Sequence, residues 1–322
     1  MKKKIFFILI SLIFSISFNP YYSNSTEKYP IKPVIVVTPF PGGGAVSTIS
    51  VITAKYLERH FGSPFIVEFK PGGGTVIGVT YVANAAPDGY TLLCAADIFT
   101  SVLMRTATYK MEDFKIIAQI SLLGNALSVR ADAPWKNFQE FVEYARKNPG
   151  VKYAHPGVGT FIYFRTENMN RKAKLNMIGV PMKGDTDVIP ALLGGHVPVA
   201  VGSTFAHKAQ ADAGKTRILL SYDKATGYGL DPNIPDIEEF FKGSIYDIPV
   251  SIYLYAPAKT PKERVEIIEK ALETICKERE YVEEMKKIGQ MISFVPGNKV
   301  METLPKKIET VKEIMKETGM IK

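Results

Sequence analysis

With 322 residues, 46% of them hydrophobic and 22% charged, the chain can bury one large core or two ordinary ones, and two domains are expected. A net charge of +8 and a pI near 9.2 raise the question of nucleic acid. The lysines, however, gather in the first four residues and the last third, on predicted solvated helix faces, with no basic stripe interleaved with aromatics, and this argues against nucleic-acid binding.

Met1-Lys2-Lys3-Lys4 followed by the apolar run 5–18 has the charged and hydrophobic regions of an export signal, shorter than the roughly 20 residues that cross a bilayer. Cleavage is expected near Ser23-Asn24-Ser25, with an uncleaved anchor as the alternative, and the signal is assigned to residues 1–25. Next, Val34 to Thr38 is a β-branched strand that empties into Pro39-Phe40-Pro41-Gly42-Gly43-Gly44 and then a helix. Ser47 is its expected N-cap, Ile49, Ile52, Tyr56 and Leu57 follow at helical spacing, and Phe61-Gly62 with Pro64 stops it. A strand, a glycine turn and a helix N-terminus together form an anion site, because bare amides and the positive end of the helix dipole point the same way. One such turn is equally well a simple tight turn, but the device recurs at Pro71-Gly72-Gly73-Gly74 and at Pro156-Gly157-Val158-Gly159-Thr160, which suggests a shared cleft.

Further along, Val76 to Asn84 is predicted helical, Tyr90 to Cys94 a strand and Asp97 to Ser101 a polar strand exit. The run Ile116 to Val129 reads as a strand pair that changes direction between domains. Asn137 and Glu140 make a capping box for a helix with Phe138, Phe141, Val142 and Ala145 on its apolar face. A second α/β unit follows: a strand near Tyr153, a helix through Glu167, strands at Met177–Val180, Val197–Val201 and Arg217–Ser221, and helices ending at Gly194 and Gly214. Pro249 to Tyr255 is a strand returning to the first domain, and from Pro261 the chain reads as charged helix packed on that domain. Crossings near Leu127 and Ser251 give two α/β domains, 28–127 plus 252–322 and 128–251, with a ligand cleft at the strand ends.

Catalytic constellations are hard to find. The glycine turns do not complete a dinucleotide fingerprint, and neither a phosphate loop nor a nucleophile elbow occurs. His60, His155, His196 and His207 lack metal-motif spacing, Asp185 and Asp187 are expected as helix caps more than as an acid/base pair, and Cys94 and Cys276 as buried thiols. No cofactor or metal is expected, and the chain reads as a binder rather than an enzyme.

Pro39-Phe40-Pro41-Gly42-Gly43, Val67-Glu68-x-Lys70-Pro71-Gly72, Ala85-Ala86-Pro87-Asp88-Gly89-Tyr90-Thr91-Leu92, Gly157-x-Gly159-Thr160, Val180-Pro181-x-Lys183-Gly184 and Leu192-Leu193-Gly194-Gly195 stand in the order found in the extracytoplasmic solute receptors of tripartite tricarboxylate transporters, the Bug family. The resemblance covers essentially the whole chain after the signal. It implies a type II periplasmic-binding-protein-like fold, two α/β domains joined by two crossing strands, that captures a small mono-, di- or tricarboxylate for membrane permease subunits. A monomer is expected, periplasmic or otherwise extracytoplasmic. A sensory subunit for a membrane kinase and an exported enzyme acting on small organic acids are the alternatives. Carried over by resemblance, the ligand-binding positions are Phe40, Gly42, Gly43, Ser47, Gly157, Gly159, Thr160, Tyr163, Ser203 and Thr204. The first glycine turn and the Gly157–Thr160 turn are expected to face each other and to hold the carboxylate through backbone amides. Tyr163 stands where the family has histidine, Met182 where it has tyrosine, and Ser47 and Val51 where it has aspartate and arginine. Because Ser47 removes an anion that would pair with a ligand ammonium, the ligand is expected to lack an amino group.

Overall fold

A computed structural model describes residues 29–241 and 248–322; the expected export signal lies outside the described residues. The first half of the chain builds a parallel core: β1 (Val34–Thr38), α1 (Ala45–Phe61), β2 (Phe65–Phe69), α2 (Val76–Ala83) and β3 (Thr91–Ala96), with β2 and β3 flanking β1 in parallel. Val34, Val36 and Val37 are buried, as a strand covered by helices on both faces requires. α1 turns Ile49, Ile52, Tyr56 and Leu57 inward and ends at Gly62, whose left-handed φ of 64° lets its N–H reach the Glu58 carbonyl.

Where a polar strand exit was expected, Phe99–Leu103 forms a short helix, α3, with Phe99, Thr100 and Ser101 buried. β4 (Phe114–Leu123) and β5 (Asn125–Arg130) are nearly continuous in sequence but belong to different sheets. The change of sheet falls at Gly124, three residues before the position expected from sequence, and a Cβ there would lie 2.5 Å from the Tyr228 ring. A side chain at this crossing therefore has no room.

The second sheet collects the middle of the chain: α4 (Phe138–Lys147), β6 (Lys152–His155), α5 (Phe161–Lys172), β7 (Ile178–Pro181), α6 (Asp185–Leu193), β8 (Val199–Ser203), α7 (Thr204–Asp212) and β9 (Thr216–Ser221), with strand order β7-β6-β8-β5-β9. The capping box of α4 forms as expected: Asn137 Oδ1 accepts from Glu140 N at 2.9 Å. The chain then returns to the first sheet as β10 (Val250–Pro257), followed by α8 (Lys262–Ile275), α9 (Arg279–Lys287), β11 (Met291–Pro296) and α10 (Gly297–Glu317). The first sheet has the order β11-β4-β10-β3-β1-β2, with β10 antiparallel to both neighbours. β11, an edge strand antiparallel to β4, lies inside the stretch expected to be helix alone.

The return is anchored from α10. Lys307 Nζ lies 2.8 and 2.9 Å from the Asp97 carboxylate oxygens, and Asp97 Oδ2 also accepts the Ser251 N–H at 3.0 Å. The Asp97 side chain is fully buried, so this ion pair ties α10, the end of β3 and the start of β10 into one joint.

Candidate functional site

Four helix N-termini meet where the two sheets face each other. Gly44 and Ala45 of α1, Thr160 and Phe161 of α5, Asp185 of α6 and Ser203 before α7 all line one cavity of about 40 Å³. Ala96 at the end of β3, Leu123 at the end of β4 and Val250 at the start of β10 line it as well. The cavity has room for about three waters, and the cleft is narrow here. The closure is a contact between glycine turns. A Cβ on Gly74 would lie 1.8 Å from the Val158 carbonyl oxygen, and one on Gly157 would lie 2.8 Å from Gly74 Cα.

The helix tips differ in how their amides are satisfied. Thr160 caps α5: its Oγ1 accepts from Tyr163 N at 3.4 Å and donates to the Gly157 carbonyl at 2.8 Å. Ser203 caps α7 through a 3.4 Å bond from Ala206 N. α1 and α6 begin at Gly44 and Gly184 with no side-chain cap. At α1 the missing acceptor comes from the other sheet. Asp185 accepts the Ala45 N–H, its Oδ1 accepts Ser203 N at 3.2 Å, and its Oδ2 accepts Ser203 Oγ at 2.5 Å. Asp185 is thus in the first turn of its own helix without capping it, and supplies a carboxylate to the tips of two others. Burial pushes its pKa up, and the bonds from Ser203 and Ala45 pull the other way.

The positions singled out from sequence fall into two groups. Phe40, Thr160 and Ser203 line the cavity. Gly43 (φ 91°) lies in the chain between the lining residues Pro41 and Gly44, and a Cβ there would lie 3.5 Å from Thr186 Cγ2. Gly42 packs beside the Phe69 ring instead. Ser47 is not an N-cap: it lies within α1, is 1% exposed, and its Oγ donates back to the Gly44 carbonyl at 2.9 Å. Gly157 packs on Gly74, so the Gly157–Thr160 turn meets the second glycine turn as well as sharing the cavity with the first. The Gly159 carbonyl accepts from Thr100 Oγ1 and, at 3.3 Å, from Ser101 Oγ, which fixes the turn to α3. Tyr163 stacks on the buried His155 ring, with centroids 4.5 Å apart, and Thr204 uses its N–H on the Gly124 carbonyl at the sheet crossing. Asp185, Ala45 and Asn125 line the cavity without having been singled out as ligand-binding positions; Asp185 alone carried a signal, as an acid directly before a helix between two glycine-rich motifs.

His155 and His207 are fully buried. Burial lowers their pKa values to about 4 and about 3, so both rings are neutral at physiological pH. His155 Nδ1 accepts the Gly157 N–H at 3.3 Å and so supports that turn, while His207 Nδ1 pairs with Ser128 Oγ of β5 at 2.7 Å; neither ring lines the cavity. Among the described residues no three His, Cys, Asp or Glu side chains come together as a metal-ligating group. Cys94 and Cys276 are free and buried. No helix among the described residues is long and apolar enough to cross a membrane.

The sequence profile of the tripartite tricarboxylate transporter family receptor matches residues 49–320. The UPF0065 protein in the gbd 5′ region of Cupriavidus necator is 28% identical over 302 residues, spanning 92% of this chain and 90% of its own. Among solved structures, the periplasmic binding protein BugD is 25% identical with a TM-score of 0.83, covering 91% of this chain and 99% of its own. R. palustris Rpa4515, solved with adipate, is 23% identical with a TM-score of 0.82, covering 90% and 98%. The paired α/β sheets, their double crossing and these superpositions give the chain the two-domain architecture of type II periplasmic binding proteins. The chain belongs to the receptor family of the tripartite tricarboxylate transporters.

Proposed function

We propose that this protein is an extracytoplasmic receptor that captures a small carboxylate between its two sheets and hands it, unchanged, to the membrane subunits of a tripartite tricarboxylate-type transporter. The observation that carries the reading is the convergence of four helix N-termini on one cavity, since each brings amides without helical acceptors and the positive end of a dipole. Adipate in R. palustris Rpa4515, a chain of the same fold, supports the ligand class. Hydrogen bonds to a charged group are worth about 1.5 to 3 kcal/mol each, so four or five amides suffice for the roughly −8 kcal/mol of a micromolar ligand even after ordering costs. The amides of the Phe40–Gly44 turn and of the Gly157–Ile162 stretch are the proposed donors, that of Ala45 being taken by Asp185. The lobes divide at Gly124 and just before Val250; they part to admit ligand and shut by bringing Gly74 onto Val158.

A receptor of this kind works as an exported monomer and turns nothing over; in the cavity lining the Ser203 hydroxyl is bonded to Asp185, and no histidine, lysine or cysteine stands among the lining residues. Export rests on the signal read from residues 1–25. The test is calorimetric titration of the purified chain with a panel of mono-, di- and tricarboxylates, followed by chromatography of the recovered ligand. Saturable one-to-one binding with quantitative recovery is expected. Conversion of the ligand to another compound would contradict the proposal.

A further inference from the structure

We infer that Asp185 sets the ligand class of this cleft: the receptor takes a carboxylate that also carries a protonated amine, and Asp185 receives the ammonium. This rests on the receptor reading above and narrows it. Asp185 is the one charged side chain among the residues lining the cavity, which include no lysine, arginine or histidine. It also makes no ion pair with any described residue, although it is bonded on both carboxylate oxygens.

Those bonds decide where a ligand carboxylate can sit. The Ala45 N–H at the tip of α1 and the Ser203 N–H and Oγ at the tip of α7 already point at the chain's own carboxylate. A second carboxylate placed there would meet a like charge in a closed, poorly solvated space. The tip of α5 remains: Phe161 and Ile162 line the cavity, and first-turn amides have no acceptor within their own helix. A ligand with its carboxylate at α5 and an ammonium at Asp185 satisfies both sites, whereas a purely anionic acid satisfies one and opposes the other. The expectation of a ligand without an amino group was drawn from residue 47. Ser47 is buried and turned to the Gly44 carbonyl, so that position has no part in the charge balance, and the carboxylate that does is supplied from α6.

The test uses matched pairs that differ only in the amine: propionate and alanine, succinate and aspartate, glutarate and glutamate, adipate and 2-aminoadipate. Titrations of wild type and Asp185→Asn are compared, with thermal melts to establish that the variant is folded. The amino acid of at least one pair is expected to bind wild type at least tenfold more tightly than its deaminated partner, and Asp185→Asn is expected to bring the two within threefold. If wild type binds deaminated acids as tightly as or more tightly than the amino acids, or if the preference survives in Asp185→Asn, the inference is overturned while the receptor reading stands. If no member of any pair binds, both fall.

Discussion

Closure of the cleft can be separated from the backbone strain of its glycines by comparing two adjacent residues. Gly73 and Gly74 have nearly the same left-handed conformation, φ 59° and 61°. An alanine at either position therefore carries a similar penalty, about 1 to 2 kcal/mol, and a similar loss of a few degrees in Tm. Their surroundings differ. A Cβ on Gly73 meets Val76 Cβ at 3.5 Å, an ordinary contact within the same turn, whereas a Cβ on Gly74 would lie 1.8 Å from the Val158 carbonyl oxygen of the other lobe. Since real Cβ atoms do not approach closer than 3.0 Å, the lobes of Gly74→Ala must stay apart by at least about 1.2 Å more than in the closed form. Amides of one lobe then cannot reach a ligand held by the other. Losing two such bonds weakens binding by about 3 kcal/mol or more, roughly a hundredfold or greater. Calorimetry on both variants should show near wild-type affinity for Gly73→Ala and at least a hundredfold loss for Gly74→Ala at equal Tm. Equal affinities would refute the idea that this contact is part of the binding-competent state.

Three further outcomes follow from the buried charges and rings. Arg165 is fully buried and paired with Asp223 at 3.1 Å, so Asp223→Ala, which removes that carboxylate and leaves the bond to the Tyr222 carbonyl, should lower stability by about 3 kcal/mol in urea unfolding. His155 and His207 have folded pKa values of about 4 and about 3, below the unfolded 6.5, so the unfolded chain takes up protons first. Stability should therefore be full above about pH 6.5 and fall as pH drops through 6.5 toward 4, and His207→Gln should reduce that slope by nearly one proton when urea midpoints are followed against pH. Gly159→Val should abolish binding by detaching the turn from α3, because its Cβ would lie 2.5 Å from Ser101 Oγ at a φ of 93°. Retained affinity in that variant would show that the anchoring to α3 is dispensable.

Much of this architecture was legible from local pattern. Val34 to Thr38 is a β-branched run ending in turn residues, Val197 to Val201 overlaps β8 with a shift of two residues, and the Asn137–Glu140 box marks a helix start within one turn, so these elements depend on neighbours in sequence. The misses depend on distant partners. β11, Met291-Ile292-Ser293-Phe294-Val295-Pro296, is a partly exposed edge strand enclosed between charged helices, and its reason to be extended is β4, far back in the chain. The sheet crossing sits at Gly124 because the Tyr228 ring fills the space, which no local signal announces. Ser47 reads as a cap by residue type, yet Gly44 starts the helix, and the hydroxyls of Ser47 and Thr48 both return to the Gly44 carbonyl. The cavity lining shows the same division. Phe40, Thr160 and Ser203 lie in motifs that carry their own turn chemistry, while Asp185 becomes a member of the site through Ala45 and Ser203, on two other elements.

The central claim, that the chain binds a small carboxylate reversibly and without chemistry, is tested most directly by native mass spectrometry of the purified chain incubated with the panel of acids and amino acids. The account predicts a one-to-one adduct whose mass equals that of an added carboxylate and which is released unaltered when the protein is unfolded. An adduct or released species of any other mass, or no adduct with any member of the panel, would contradict it.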